Sequence, residues 1–359
     1  MQKTRGETAQ ASFEQIAELC TQFQGPNLEA AECFEARNSQ LTKPLGALGR
    51  LEEVVRWLAL WQGSQQSCHQ KNEEQSLARP SAERVRTAVF AANHGICAQG
   101  ISAYPSAVTQ QMVQNFISGG AAVNQLCAFI DADLKVYELG LEQPTQDFSQ
   151  SFAMSEAEAV HAMSYGMMAV EDGLDLLCLG EMGIGNTTSA AALCLALFGG
   201  TSEQWTGRGT GLDDAGLAHK QQVIAKAVEK HAKACAGDPW KILTAFGGFE
   251  LCAIIGAIIA ARIARVPVLL DGYICTAAAA VLHQAVPGSL DHCMVAHSSQ
   301  EPGHKLLLEQ LNKRALLDLD LRLGEASGAT LAVTIVQAAV ATYKGMKTFA
   351  QAGVSGPES

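Results

Sequence analysis

Basic charge is in short supply in this chain: 25 Lys and Arg against 36 Asp and Glu leave a formal net charge of -11. That deficit argues against nucleic acid or an anionic membrane surface as a partner. Aromatic side chains are scarce as well, 6% within a hydrophobic total of 48%. The core is therefore expected to be built from Ala, Leu, Val and Ile, which suits helices packed on a parallel sheet. The 11 cysteines are odd in number and scattered, without a C-x-x-C pair or a local Cys/His cluster. They read as reduced core residues of a cytosolic protein, and no metal site is expected from them. The opening run MQKTRGETAQASFEQ lacks an apolar stretch of the signal-peptide kind, so a cytoplasmic location is expected. Ile242–Ala261 is long enough to suggest a membrane span. Glu250 near its middle and the Gly247–Gly248 pair favour a buried strand–helix unit instead, so no membrane is expected. No repeat of 20–50 residues is found.

What the chain does have is a focal stretch, LDLLCLGEMGIGNTTSAAAL, from Leu174 to Leu193. Leu174–Leu179 reads as a strand covered on both faces. A loop with Gly180, Gly183 and Gly185 follows, and then a helix opened by Asn186, Thr187 and Thr188. Glycines allow close backbone approach, and free N–H groups in a helix's first turn favour an anion, so a phosphate belongs here. Gly180-x4-Gly185-Asn186-Thr187 is close to a P-loop, but Asn186 stands where the lysine of G-x4-G-K-[ST] should be. With Glu181 also in the stretch, one phosphate is expected rather than a triphosphate.

At 359 residues the chain exceeds one typical domain. Ser12 to about Gly63 reads as helical, with Leu51, Val54, Val55, Leu58 and Trp61 forming one apolar stripe. Gly63–Ser81 reads as a linker. Strands are then expected at Arg86–Ala92, Leu134–Leu139, Leu174–Leu179, Trp240–Phe246, Pro267–Leu270 and Met294–His297. Helices are expected at Thr109–Phe116, Ala153–Val170 and from the Asp213 cap to Ala234. This alternation defines an α/β fold with a doubly wound, mostly parallel (Rossmann-like) sheet, whose ligands sit at the carboxyl ends of the strands. The expected organisation is a large α/β nucleotide- and base-binding domain at 82–304, beside a small helical domain from residues 1–63 and 305–359. Lys305–Ala352 reads as helical with a break at Leu323–Gly328. Glu325 in that break is either a helix-terminal charge or a general base whose pKa an apolar setting would raise. Lys220 shares a helix face with Leu217 and Ile224, so it either snorkels or reaches a buried anion. Asp213–Asp214, the one adjacent Asp pair, suits helix capping. His94 and His297 each follow a strand and read as satisfied structural histidines.

Two motifs, GEMGIGNTTSAAAL at Gly180 and LRLGEASGATLA at Leu321, closely resemble the nicotinate-nucleotide–dimethylbenzimidazole phosphoribosyltransferases of cobalamin lower-ligand assembly. The resemblance extends to TKPLGALGRLE at Thr42, NHGICAQGISAYPSAVTQQMVQNFISGGAAVN at Asn93, LLDGYICTAAA at Leu269 and AHSSQEPGH at Ala296. It implies transfer of 5-phosphoribose from nicotinate mononucleotide to 5,6-dimethylbenzimidazole, with inversion at the anomeric carbon. It further implies Glu325 as the base that takes the benzimidazole N–H proton and Glu181 as a second carboxylate at the reaction centre. By the same resemblance Gly183, Gly185, Asn186, Gly209, Lys220 and Ser298 or Ser299 serve the phosphate and ribose, and Tyr104, Gln111 and Leu323 frame the benzimidazole. A homodimer is implied, and no cofactor: a pyridinium leaving group carries its own activation, and no diphosphate leaves to demand Mg²⁺. The rival readings are a P-loop-like NTPase, disfavoured by the missing lysine, and a non-catalytic protein that captures the nucleotide or a benzimidazole.

Overall fold

The computed structural model describes residues 12–62 and 80–355, so most of the expected linker lies outside the described residues. Five strands form one sheet: β1 Val85–Ala91, β2 Asp133–Glu138, β3 Leu176–Met182, β4 Val268–Leu270 and β5 Cys293–Val295. Their order is β2-β1-β3-β4-β5 and every pairing is parallel. β1 and β3 are buried along their whole length, whereas the edge strand β2 is not. The chain leaves β1 toward β2 and then returns to build β3, β4 and β5 on the other side. The crevice beyond the carboxyl ends of β1 and β3 is thus the topological switch point, where open α/β sheets bind ligands.

The N-terminal helices are α1 Phe13–Cys20, α2 Leu28–Asn38 and α3 Arg50–Trp61. Between β1 and β2 come α4 Ala107–Ile117 and α5 Ala122–Ile130, and before β3 comes α6 Glu156–Met167. After β3 follow α7 Asn186–Phe198, α8 Ser202–Trp205, α9 Asp214–Cys235, α10 Pro239–Phe246 and α11 Phe249–Ile263. The remainder are α12 Tyr273–Ala285, α13 Pro302–Gln310, α14 Ser327–Gly345 and α15 Phe349–Ala352.

Strand alternation sorts the core into two layers. Ala88, Phe90, Leu177, Leu179, Val268 and Leu270 face one way, into a cluster with α6, α7 and α10–α12. Val85, Leu176, Cys178 and Leu269 face the other way and meet α3 and α14 through Val54, Leu58, Val333 and Val336. Arg37 of α2 donates to the carbonyls of Tyr343, Lys344 and Met346, closing the C-terminus of α14. α1 lies elsewhere, with Phe13 stacked on Trp240 at 4.9 Å between ring centroids.

Three expected elements are corrected. Trp240–Phe246 is helical: Asp238 accepts the N–H groups of Trp240 and Lys241 (2.9 and 3.3 Å), and Pro239 occupies the first turn. Those capping signals decide an apolar run too short to show its own period. Ile242–Ala261 accordingly joins two helices at Gly247–Gly248, and among the described residues no helix is long and apolar enough to cross a membrane. Residues 311–326 are not helical, so Lys305–Ala352 is interrupted over more than the Leu323–Gly328 turn. Among the described residues nine cysteines are free thiols, and eight of these are buried. Cys33 departs from the all-reduced expectation, being disulfide-bonded.

Candidate active site

β3 extends past the expected Leu179, so Gly180 and Glu181 belong to the strand rather than to the loop. That places Glu181 at the carboxyl end of a fully buried strand, paired in register with Phe90 of β1. Gly180 has a long-range reason to be glycine: a Cβ there would run into the backbone of Ala326. The turn before α14 therefore sits directly on β3, and Glu325 donates its backbone N–H to the Glu181 carbonyl at 3.2 Å. Glu325 and Ala326 both adopt left-handed backbone, at φ 61° and 58°, each at a cost of about 1–2 kcal/mol. This local strain puts the two acids, distant in sequence, on one cavity of about 570 Å³.

Burial is the main cause of the unusual acidity of both carboxyls. It pushes Glu325 up to about 7, with the nearby Asp271 carboxylate adding to the rise. Glu181 is raised well above the ordinary range, first by burial and then by Asp271, Glu250 and Glu325, while the Asn186 amide donating to its Oε2 opposes the rise. Asn186 thus holds Glu181 in place. A cationic sugar between the two acids would favour their charged forms, since an opposite charge at close range restores ionisation.

Next to Glu181 the cavity is lined by two helix heads, whose free N–H groups suit an anion. Gly183, Gly185, Asn186 and Thr187 line it at the start of α7, and Tyr273 and Ile274 at the start of α12 do the same. Lys220 does not snorkel. It is 1% exposed, and its Nζ turns inward to Thr187 Oγ1 (2.8 Å) and the Gly207 carbonyl (3.3 Å). Desolvation lowers it to about 8, partly offset by Glu301. Gly209 is left-handed at φ 51°, and a Cβ there would crowd both Thr187 and Lys220. Its N–H donates to Glu301 Oε1 at 3.0 Å. Ser299 lines the cavity; Ser298 is buried but does not. Asp213 caps α9 by accepting the Gly216 N–H at 2.8 Å, as its position suggested.

His94 is the satisfied structural histidine that was expected. Its Nε2 lies 2.5 Å from Glu250 and its Nδ1 3.0 Å from Ser189 Oγ, all buried beneath Gly183. His297 departs from that expectation. It lines the cavity, buried, with neither ring nitrogen hydrogen-bonded. The mouth is apolar: Tyr104 and Leu323 are exposed there, with Val108, Met112, Ala121 and Ala122 alongside. Gln111 stands apart from this group. It is exposed and off the lining, because Val108, Met112 and Asn115 form the stripe of α4 that faces inward. Sequence reasoning did not single out Glu301, Met112 or Arg322 as site residues. A Glu directly before a proline that starts a helix was the one available signal, for Glu301.

A parallel α/β sheet with two buried carboxyls, two helix heads suited to an anion and an apolar mouth on one cavity at its switch point fits a group-transfer enzyme acting on a phosphorylated sugar. A family model described as phosphoribosyltransferase matches residues 23–354. The chain is 48% identical to a nicotinate-nucleotide–dimethylbenzimidazole phosphoribosyltransferase from Sinorhizobium sp, covering 96% of this chain and 98% of that one. The protein of the same name from Cereibacter sphaeroides is 50% identical, over 97% and 98% of the two chains. A crystal structure of CobT from Thermus thermophilus superposes with a TM-score of 0.82 at 39% identity, covering 92% of this chain and 100% of that one. The chain belongs to the nicotinate-nucleotide–dimethylbenzimidazole phosphoribosyltransferase family.

Proposed function

We propose that this enzyme moves 5-phosphoribose from nicotinate mononucleotide to 5,6-dimethylbenzimidazole, yielding α-ribazole 5′-phosphate and nicotinate for cobalamin nucleotide-loop assembly. The observation that carries the reading is the placement of Glu181 and Glu325 on one cavity that the head of α7 also lines, with Lys220 buried behind Thr187. In this reading the head of α7 grips the 5′-phosphate and the apolar mouth takes the benzimidazole. One benzimidazole nitrogen attacks C1′ as the bond to the pyridinium nitrogen breaks. The electron pair of that bond leaves with nicotinate, and the N–H proton passes to Glu325. Glu181 offsets positive charge developing on the sugar. With Glu325 near 7, base and carboxylic acid are both accessible at neutral pH, the range in which a general base works best.

Several finer points belong to the same proposal. Gly183, Gly185, Gly209, Lys220 and Ser299 serve the phosphate and ribose, Asn186 acts through Glu181, and Tyr104 and Leu323 hold the base. In the proposed division into a helical unit (1–63 and 305–359) and an α/β unit (82–304), the Leu41–Thr348 bridge and the Arg37 contacts hold α2 to α14, while α1 packs on the α/β unit and α3 and α14 on the sheet. A cytoplasmic homodimer completes the reading, and exposed Ile117 and Phe129 on α4 and α5 are candidate contacts. Light scattering of the purified protein checks the dimer. The reaction itself is tested by mixing the protein with the two substrates and following nicotinate release, with NMR assignment of the ribosyl anomer. Stoichiometric nicotinate and an α-linked product are expected. Tight binding of both compounds without release would instead establish the capture protein.

A further inference from the structure

Asp271, which directly follows β4, is completely buried and is assigned no role by the reaction above. Its Oδ1 accepts the backbone N–H of Ala329 at 2.8 Å, and the N–H groups of Gly328 and Ala326 face the same carboxyl at looser geometry. Oδ2 has no bonded partner. The head of α14 lacks a cap of its own. Its N-cap residue is Ala326, left-handed at φ 58° and without a capping side chain. Free N–H groups in a helix's first turn require an acceptor, and here it comes from another strand. On the cavity side of Asp271 stands His297, with Nε2 3.7 Å from Oδ1 and its ring packed against Gly328.

We propose that Asp271 and His297 form the positioning pair for Glu325: the carboxylate clasps the head of α14 and so fixes the left-handed turn that aims the base, while His297 braces the same turn from the cavity side. The assignment rests on Glu325 being the base. The clasp also acts electrostatically. The titratable groups around Glu325 and Asp271 are Glu181 and Cys178 of β3, Cys275 of α12, His297 after β5, and Arg322 beside Glu325 in the chain. Burial keeps both thiols neutral. Burial raises Asp271, while His297 and the α14 backbone N–H groups oppose that rise; the charged form of Asp271 in turn raises Glu325.

Asp271→Asn retains an acceptor for Ala329 but removes the charge. The acid-side limb of kcat is expected to move down by about one pH unit, with the KM for nicotinate mononucleotide within about twofold of wild type. Asp271→Ala removes the acceptor as well, so kcat is expected to fall about 100-fold and the amides of residues 326–329 to exchange faster. Asn should rescue most of that loss. His297→Gln removes a group that opposes the rise of Asp271, so it is expected to move the limb the same way as Asp271→Asn by a smaller amount, and it carries the test if the Asp271 variants do not fold. Titrating the Glu325 carboxyl carbon by NMR in unliganded protein reads the same shifts without turnover. Displaced titration in a protein that transfers nothing would remove the catalytic reading and keep the electrostatic one. An unmoved Glu325 titration in both Asp271→Asn and His297→Gln overturns the proposal.

Discussion

The two ends of the cavity are built on opposite plans. At the inner end, buried Glu181 and His297 line the cavity, and behind the lining stand buried Asp271 and Lys220, held by the Ala329 N–H, Thr187 and the Gly207 carbonyl. At the mouth, Tyr104 and Leu323 are exposed apolar side chains carried on loops, beside one helix stripe. Buried polar groups cost stability unless held in fixed geometry, so the inner end is suited to one invariant moiety. Loop-borne apolar surface adapts to shape and hydrophobicity. The phosphoribosyl chemistry belongs to the first, and acceptance of the incoming base to the second.

The sharpest way to break this contrast is Glu325→Gln. Turnover is expected to fall 100-fold or more while nucleotide KM stays within about twofold, and stopped-flow nicotinate release checks it. Near-normal turnover would strip Glu325 of its role. Next in size is Lys220→Met. Losing a buried charge-assisted contact should raise nucleotide KM roughly 10- to 100-fold with little change in base KM. Because Lys220 is lowered to about 8, it is charged below that value and loses charge above it. Nucleotide affinity by calorimetry should therefore weaken as pH rises past 8, with proton uptake on binding in that range.

The pH dependence of Glu325 gives a subtler signature. Its folded pKa, about 7, lies above the ordinary carboxylate value. Protonation thus favours the folded state, and the favourable contribution is lost as pH rises through 7. Turnover has the opposite slope, since the base must be ionised. Glu325→Gln should accordingly melt higher than wild type at pH 8 and close to it at pH 4, in paired thermal scans. The smallest effects lie at the mouth. Leu323→Ala and Met112→Ala should raise base KM by about 5- to 10-fold at unchanged nucleotide KM. Gln111→Ala, off the lining, should change base KM less than Met112→Ala. The reverse ranking would mean that α4 turns when the base binds.

The legible parts of the sequence were those whose cause is local. Leu174–Leu193 announced a buried strand, a glycine turn and a helix head, and the Asp213 cap announced α9. The Trp240 run reads as a strand because seven mostly apolar residues fit either period, and the deciding signal lay outside the run, in Asp238 and Pro239. Gly180 looked like a loop glycine because its reason for being small is Ala326, far along the chain. His297 could not be told from His94: each follows a strand, and only packing gives His94 its Glu250 and Ser189 partners. Lys220 was ambiguous on its helix face until the Gly207–Gly209 loop folded over it.

The contact between Gly180 and Ala326 carries one more implication. A general base on a swinging loop would have to travel before every turnover, but this one is bolted to the central strand. Opening and closing around the substrates must then be confined to the rim segments, and the sugar, once seated, meets a stationary proton acceptor.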